Sequence, residues 1–255
     1  MSMNIDVQDL EARVQDIYRH VAEEPGGEFH FELGRPLAER LGYPNDALDR
    51  IPGEALESFA GVGYFFDLAD LGEGERVLDL GSGSGTDVFF AALRVGRAGH
   101  VLGVDFTDEQ LDKARRLAAE GDYDQVELRE GRIESLPVDD ESFDCVISNG
   151  VINLSPAKDR VFVEAARALR PGGRLAIADI VTEQELTESI VCDARLWASC
   201  IGGAAQEDRY RKAIEDAGLK VEGIRENPYE FLSEPARNAS ATYGVKSVSL
   251  LARKT

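Results

Sequence analysis

Cysteine, histidine and tryptophan are scarce in this chain, with 3, 3 and 1 copies in 255 residues. The cysteines, Cys145, Cys192 and Cys200, form no C-x-x-C pair and suit no disulfide framework. A bridged secreted domain is thereby disfavoured, a reducing compartment is expected, and no metal site is. Basic residues are outnumbered, 28 against 48 acidic ones, for a net charge of -20. Such a surface repels phosphate backbones and anionic lipid, so nucleic acid is not the expected partner. The excess itself reads as a solvated, self-repelling surface of the kind salt adaptation produces. Long hydrophobic runs are also missing: "MSMNIDVQDLEARVQD" has no basic start followed by an apolar stretch, and no segment approaches membrane-spanning length. A soluble, cytoplasmic protein without a membrane partner is expected; the oligomeric state stays open.

What is present is enough apolar content, 43%, to bury a sizeable core. Val7, Leu10, Val14, Ile17 and Val21 recur at helical spacing until "EEPGG" stops the pattern. Shorter pieces broken by Pro36, Pro44 and Pro52 follow, so residues 1–70 read as an N-terminal helical cap. From Arg76 short apolar runs alternate with helical patterns: "RVLDLG", "TDVFFAALRVG", "HVLGVDF", "DEQLDKARRLAAEG", "VELREG", "FDCVISN", "AKDRVFVEAARALR" and "GRLAIADI". Runs apolar throughout suit strands covered on both faces, so this is a βαβ series around a parallel sheet. Beyond Thr182, helices across residues 182–218 form a substrate-side insertion, and "LKVEGIREN" and "KSVSLLAR" make a last strand pair joined by a long polar connection. The expected fold is α/β: a doubly wound, Rossmann-like, mostly parallel seven-stranded sheet over residues 71–255, with a C-terminal antiparallel hairpin.

The stretch "VLDLGSGSGTD" carries the chemistry. Its glycines, Gly81, Gly83 and Gly85 with Ser82 between, read G-x-G-x-G, and Thr86 stands where a dinucleotide fingerprint places its third glycine. A strand, glycine turn and helix bring the backbone close to a ligand and present free N–H groups that favour negative charge. Asp79, just before the turn, would repel a pyrophosphate but attract an ammonium. Twenty residues past Gly85, Asp105, followed by Phe106, is placed to accept hydrogen bonds from ribose hydroxyls. S-adenosylmethionine (SAM), with an ammonium and a sulfonium, suits this set better than NAD, so an NAD-dependent oxidoreductase is the disfavoured alternative.

"GRIESLPVDDESFDCVISN" and "ALRPGGRLAIADI" resemble the later motifs of class I SAM-dependent methyltransferases, and the likeness runs almost continuously from Arg76 to Ile180. It implies that Ile133 and Glu134 frame the adenine, while Ser148, Asn149 and Gly150 at the end of the fourth strand face the methyl group. A narrower resemblance, to the arsenite methyltransferases, is carried by "VISNGVINLSP", "RLWASCIGGAAQEDRY", "YGVKSVSLLARK" and "GHVLGVDFTDEQLDKAR", and in the cap by "YPNDALDRIPGEALESFAGVGYFFDL". It implies a site in which two or three thiolates hold soft As(III). Here the pattern departs. One family cysteine falls at Val62 in "AGVGYF", another at Gly150, and only Cys200 matches. Cys192 and Cys200 would stand about 12 Å apart on one helix, too far to share an ion, and Cys145 reads as a buried strand residue. Glycine at 150 is expected to leave room for a larger organic acceptor.

Transfer from SAM is an in-line displacement that needs alignment and exclusion of water. Only a hydroxyl or carbon acceptor needs a base. The candidates are His20, His30, Tyr18, Tyr64 and Tyr210, with His30 preferred and His100 discounted as lying at the far edge of the sheet. Tyr18, in "VQDIYRHV", resembles a cap position of the family, which implies that it covers the cofactor, and it also fits the apolar face of its helix; Trp197 is placed to wall a pocket. The expected catalytic set is Asn149, Gly150, Cys200 and His30. The expected function is methyl transfer from SAM to a small-molecule acceptor. The alternatives are arsenite methylation by Cys200 with external thiols and a SAM-binding protein without transfer activity.

Overall fold

The computed structural model describes residues 7–191, 197 and 201–255. Five helices come first: α1 Val7–Glu23, α2 Arg35–Leu41, α3 Asn45–Leu48, α4 Gly53–Glu57 and α5 Phe66–Ala69. Then β1 Arg76–Leu80, α6 Thr86–Val95, β2 His100–Asp105, α7 Asp108–Glu120, β3 Val126–Glu130, β4 Phe143–Asn149, a 3-10 turn Ile152–Leu154, α8 Lys158–Ala168 and β5 Leu169–Thr182 follow. The chain ends with α9 Glu188–Val191, β6 Ala205–Gln206, α10 Glu207–Asp216, β7 Leu219–Glu226, α11 Glu234–Tyr243 and β8 Lys246–Lys254.

The strands form one sheet in the order β3-β2-β1-β4-β5-β8-β7, with the two-residue β6 beside β5. Neighbours from β3 to β5 are parallel, and β8 is antiparallel to both β5 and β7. The mostly parallel α/β sheet and antiparallel C-terminal strands are those expected. The strand pair differs in its link: α11 interrupts what reads as a polar connection, capped by the Ser233 hydroxyl accepting from the Ala236 N–H and ended by Gly244 in the left-handed region.

Central strands are apolar on both sides because helices cover both faces. Val77, Val101, Cys145 and Ile147 join one cluster with Phe89 and Phe90 of α6 and with Leu10, Leu37 and Phe65 of the first seventy residues. Leu78, Leu80, Val146 and Leu175 join the other, with Phe162 of α8 and Tyr210 of α10. The N-terminal helices therefore share an apolar core with the α6 face of the sheet. Tyr43 anchors that junction, its ring 5.0 to 6.1 Å from those of Phe59, Tyr64, Phe66 and Phe90, an aromatic group worth about 1 kcal/mol per well-oriented pair beyond area burial.

Register positions the site. Leu80 pairs with both Val104 and Ser148, so the glycine turn, Asp105 and Asn149 leave the sheet along one edge. His100 opens β2 at the opposite edge, beside Glu127. Among the described residues no helix is long and apolar enough to cross a membrane.

Candidate active site

Along the C-terminal edge of β2, β1 and β4 runs a cleft of about 1140 Å³, including solvent at its mouth, ample for a small-molecule or cofactor site of roughly 300–1,000 Å³. Its floor is Asp79, Gly81, Ser82 and Gly83; one end holds Asp105, Phe106, Ile133 and Glu134, and the other Asp87 and Asn149. Leu10, Val14 and Tyr18 of α1 and the segment Ser58 to Gly61 roof it. Helix α1 is tied down from three sides: the Gln15 amide donates to Phe106 O (3.1 Å), the Gln110 amide to Tyr18 O (2.7 Å), and the Lys113 ammonium to Ala22 O (3.0 Å).

The turn differs from expectation in one respect. Its N–H groups are not free: those of Gly81 and Ser82 donate to Val104 O (2.8 and 3.1 Å), Gly83 to Asp105 Oδ2 (2.9 Å) and Gly85 to Ser82 O (2.9 Å). The turn is folded back on β2 and offers a ligand close backbone rather than those four donors. At Gly81, with φ +72°, a Cβ would lie 2.4 Å from Val151 Cγ1, so no side chain fits. Thr86, also on the cleft lining, donates its hydroxyl to Ala55 O (2.9 Å), holding α6 to α4.

Three buried carboxylates dominate the electrostatics, and among the described residues none is paired with lysine or arginine. Asp105 accepts from the N–H groups of Gly83 and Thr107 (both 2.9 Å); burial raises its pKa while these donors oppose the shift. Asp79, only 2% exposed, has no hydrogen-bond partner among the described residues, and burial with Asp87 and Asp105 nearby drives its pKa well above the carboxylate range. Asp87 accepts from the Tyr43 hydroxyl (2.6 Å) and the Asn149 amide (3.0 Å), yet burial still raises its pKa to about 6. A cleft so lined favours a ligand carrying positive charge.

Asn149 is fully engaged within the protein. Its amide also donates to Gly63 O and the Tyr43 hydroxyl (both 3.1 Å), and its carbonyl accepts from the N–H groups of Val62 (2.8 Å) and Gly63 (3.3 Å). From the other side the Ser247 hydroxyl donates to Val62 O (2.6 Å), and the Asn227 amide to that hydroxyl (2.9 Å). Residues 61–63 thus form a strap across the ends of β4 and β8. Gly63 is compulsory there, since a Cβ would meet Asn227 Nδ2 at 2.1 Å.

Of the residues expected from sequence, Tyr18, Asp79, Gly81, Ser82, Gly83, Asp105, Phe106, Ile133, Glu134 and Asn149 line the cleft. Gly85 caps α6, and the Ser148 hydroxyl donates to Leu80 O (2.8 Å), tying β4 to β1. Gly150 does not open the cleft: a Cβ there would lie 3.1 Å from Val62 Cγ1, so Val62 fills the room a larger acceptor was expected to use. The two positions at which the family resemblance expects cysteine therefore touch each other. His30 packs edge-on to Phe31 (4.7 Å between ring centroids) outside the lining. Tyr210 donates to Asp179 Oδ2 (2.5 Å) in the core of the other face. Trp197 is buried, donating to Val191 O (2.5 Å), and is not part of the cleft wall. Cys145 lies mid-strand, its thiol pKa raised by burial to about 12. Cys192 and Cys200 lie outside the described residues. Sequence reasoning missed Tyr43 and Asp87; the latter ends the quoted glycine stretch but reads as an ordinary first-turn helix acid.

A family profile described as a methyltransferase domain matches residues 71–218, more than half of the chain. The chain belongs to that family. Within it the chain falls in the class I SAM-dependent, arsenite methyltransferase-like group. The arsenite methyltransferase of Halobacterium salinarum is 40% identical over 219 residues, 85% of this chain and 56% of that protein. That of Aquipseudomonas alcaligenes is 46% identical over 139 residues, 52% of this chain and 40% of its own length. The chain spans about half the length of the curated relatives it matches. Among solved structures, an arsenic(III) S-adenosylmethionine methyltransferase from Chlamydomonas reinhardtii superposes with a TM-score of 0.64 at 30% identity, covering 87% of this chain and 74% of that one.

Proposed function

We propose that this chain is a methyltransferase acting on a small molecule, with SAM held in the cleft beneath α1. The observation that carries the reading is Asp79, a buried carboxylate on the cleft floor that has no partner among the described residues and is suited to a ligand ammonium. Asp105 would take the ribose hydroxyls on the lone pairs that Gly83 and Thr107 leave free, and Ile133 and Glu134 the adenine. When bound, SAM supplies an electrophilic methyl group on a sulfonium. The chain's own contribution is to hold that ligand, exclude water with α1 and residues 58–61, and fix the wall at Asn149. The cysteine usage and the acidic surface support a cytoplasmic enzyme that does not act on nucleic acid.

Arsenite is the acceptor that the relatives' names favour, and one feature of the site bears on it. Val62 on Gly150 is an apolar contact, and Cys145 is locked mid-strand, so Cys200 is the one family thiol. As(III) would therefore arrive already bound to external thiols. The test is methyl transfer from labelled SAM to arsenite with excess thiol. Turnover by the native chain that disappears in Cys200→Ser would support arsenite as substrate. SAM binding without turnover would point to an organic acceptor, to be sought among small metabolites.

A further inference from the structure

We propose that Asp87, clamped between Tyr43 and Asn149 at the β4 end of the cleft, distinguishes the sulfonium of SAM from the neutral thioether of S-adenosylhomocysteine (SAH), giving up a proton against the first and keeping one against the second.

The strand order lays out the cleft. Ile133 and Glu134 follow β3, Asp105 ends β2, Asp79 lies on β1, and Asn149 ends β4. A nucleoside held by Asp105 at one end brings its sulfur toward the other, where Asp87 stands. Asp87 comes from α6, but its Oδ2 accepts from Asn149 Nδ2, which fixes it to the β4 end. Two donors leave lone pairs on the carboxylate. The groups facing it from each packed element are neutral or acidic: Tyr43 from the α2–α3 turn with Tyr64 behind it, Asn149 from β4, and Asp79 from β1 with Asp105 of β2 beyond. No cation among them offsets an ionised Asp87, in keeping with its pKa of about 6.

SAM and SAH present the same adenosine, ammonium and carboxylate, and differ by one methyl group and one positive charge on sulfur. Asp79 and Asp105 therefore act alike on both, and their contributions cancel in a comparison. Only a titratable group near sulfur survives it. The inference rests on the SAM-binding cleft but not on any particular acceptor. Its sign is fixed: an acid whose pKa falls on SAM binding releases a proton where the free protein is still protonated, so SAM affinity rises with pH up to about 6 and levels off above.

Calorimetric titration of the native chain with SAM and with SAH, at pH 6 and pH 8 and each in two buffers of different ionisation enthalpy, counts the protons. At pH 6 SAM is expected to release more protons than SAH, by about half a proton to one, and at pH 8 the difference should vanish. Between pH 5 and pH 7 the SAM-to-SAH affinity ratio should rise about tenfold. Asp87→Asn abolishes both differences. Tyr43→Phe, which keeps the carboxylate but removes a donor to its charged form, moves the transition to higher pH and decides the matter if Asp87→Asn does not fold. Equal proton counts for the two ligands, a difference that persists in Asp87→Asn, or an unmoved transition in Tyr43→Phe would each overturn the inference while leaving the SAM cleft intact. A native chain that binds neither ligand would overturn both.

Discussion

The two ends of the cleft are built by different means. At the β2 end the working parts are local in sequence: Asp105, Phe106 and Thr107 are consecutive, and Asp105 is satisfied by Gly83 and Thr107 N–H groups across a single strand–helix–strand unit. At the β4 end Tyr43, Asp87, Asn149, Asn227 and Ser247 come from five distant segments to hold one carboxylate and one strap. The first end is a motif, and the second is a tertiary construction. A chain can therefore change what the β4 end admits without touching the glycine turn. Valine at 62 packed on glycine at 150, at two positions where the resemblance expects cysteine, is such a change.

The sharpest way to break this contrast is at Asp79, which sits between the two ends. Asp79→Asn keeps the shape and removes the carboxyl that can ionise against a ligand ammonium. SAM affinity should fall about 100-fold, the 2–3 kcal/mol of a charge-assisted contact in a buried site, and calorimetry measures it. The free protein should become more stable to urea near neutral pH, because burial raises the Asp79 pKa and the folded chain must take up a proton that the unfolded chain does not hold, a cost Asn does not carry. Loss of affinity together with loss of stability would mean that Asp79 is a structural member of the turn, and the cleft would no longer be defined by its unpaired charge.

How much of each end was legible in sequence follows from the same contrast. The parallel βαβ series, the glycine turn and Asp105 could be read because strand periodicity and a fixed spacing are local signals. Tyr43 gives no such signal: it lies in "LGYPN" between two short helices, and only the folded chain brings its hydroxyl to Asp87. Asn149 was identified as a residue facing the methyl group, yet its amide is occupied by the strap, a role visible only once Val62 and Gly63 are seen beside it. Gly150 misled for the reverse reason. A glycine in sequence reads as space, and here a neighbour from eighty-eight residues upstream has taken that space.

Asn149→Ala tests the tertiary end directly. It strips the N–H groups of Val62 and Gly63 and the Gly63 carbonyl of their shared partner inside the protein. Leaving such groups unsatisfied should cost about 3 kcal/mol of stability in urea unfolding. The Asp105 end should keep its grip, so adenosine alone should bind the variant about as well as the native chain. If adenosine binding collapsed too, the two ends would be one cooperative unit and the division drawn above would fail.

The smallest effect is expected at the lid. Arg132, following β3, forms a two-pronged ion pair with Glu11 of α1 (2.5 and 2.8 Å), a direct charge contact between the roof and the adenine end. Both side chains are substantially exposed, 54% and 27%, so water and salt screen the pair. The Gln15, Gln110 and Lys113 bonds already hold α1 in place. Arg132→Gln should therefore weaken SAM binding by no more than about threefold, with the deficit fading as salt is raised. A larger, salt-resistant loss would mean that the roof is held by this one pair, and that the local end of the cleft also depends on a contact made at long range.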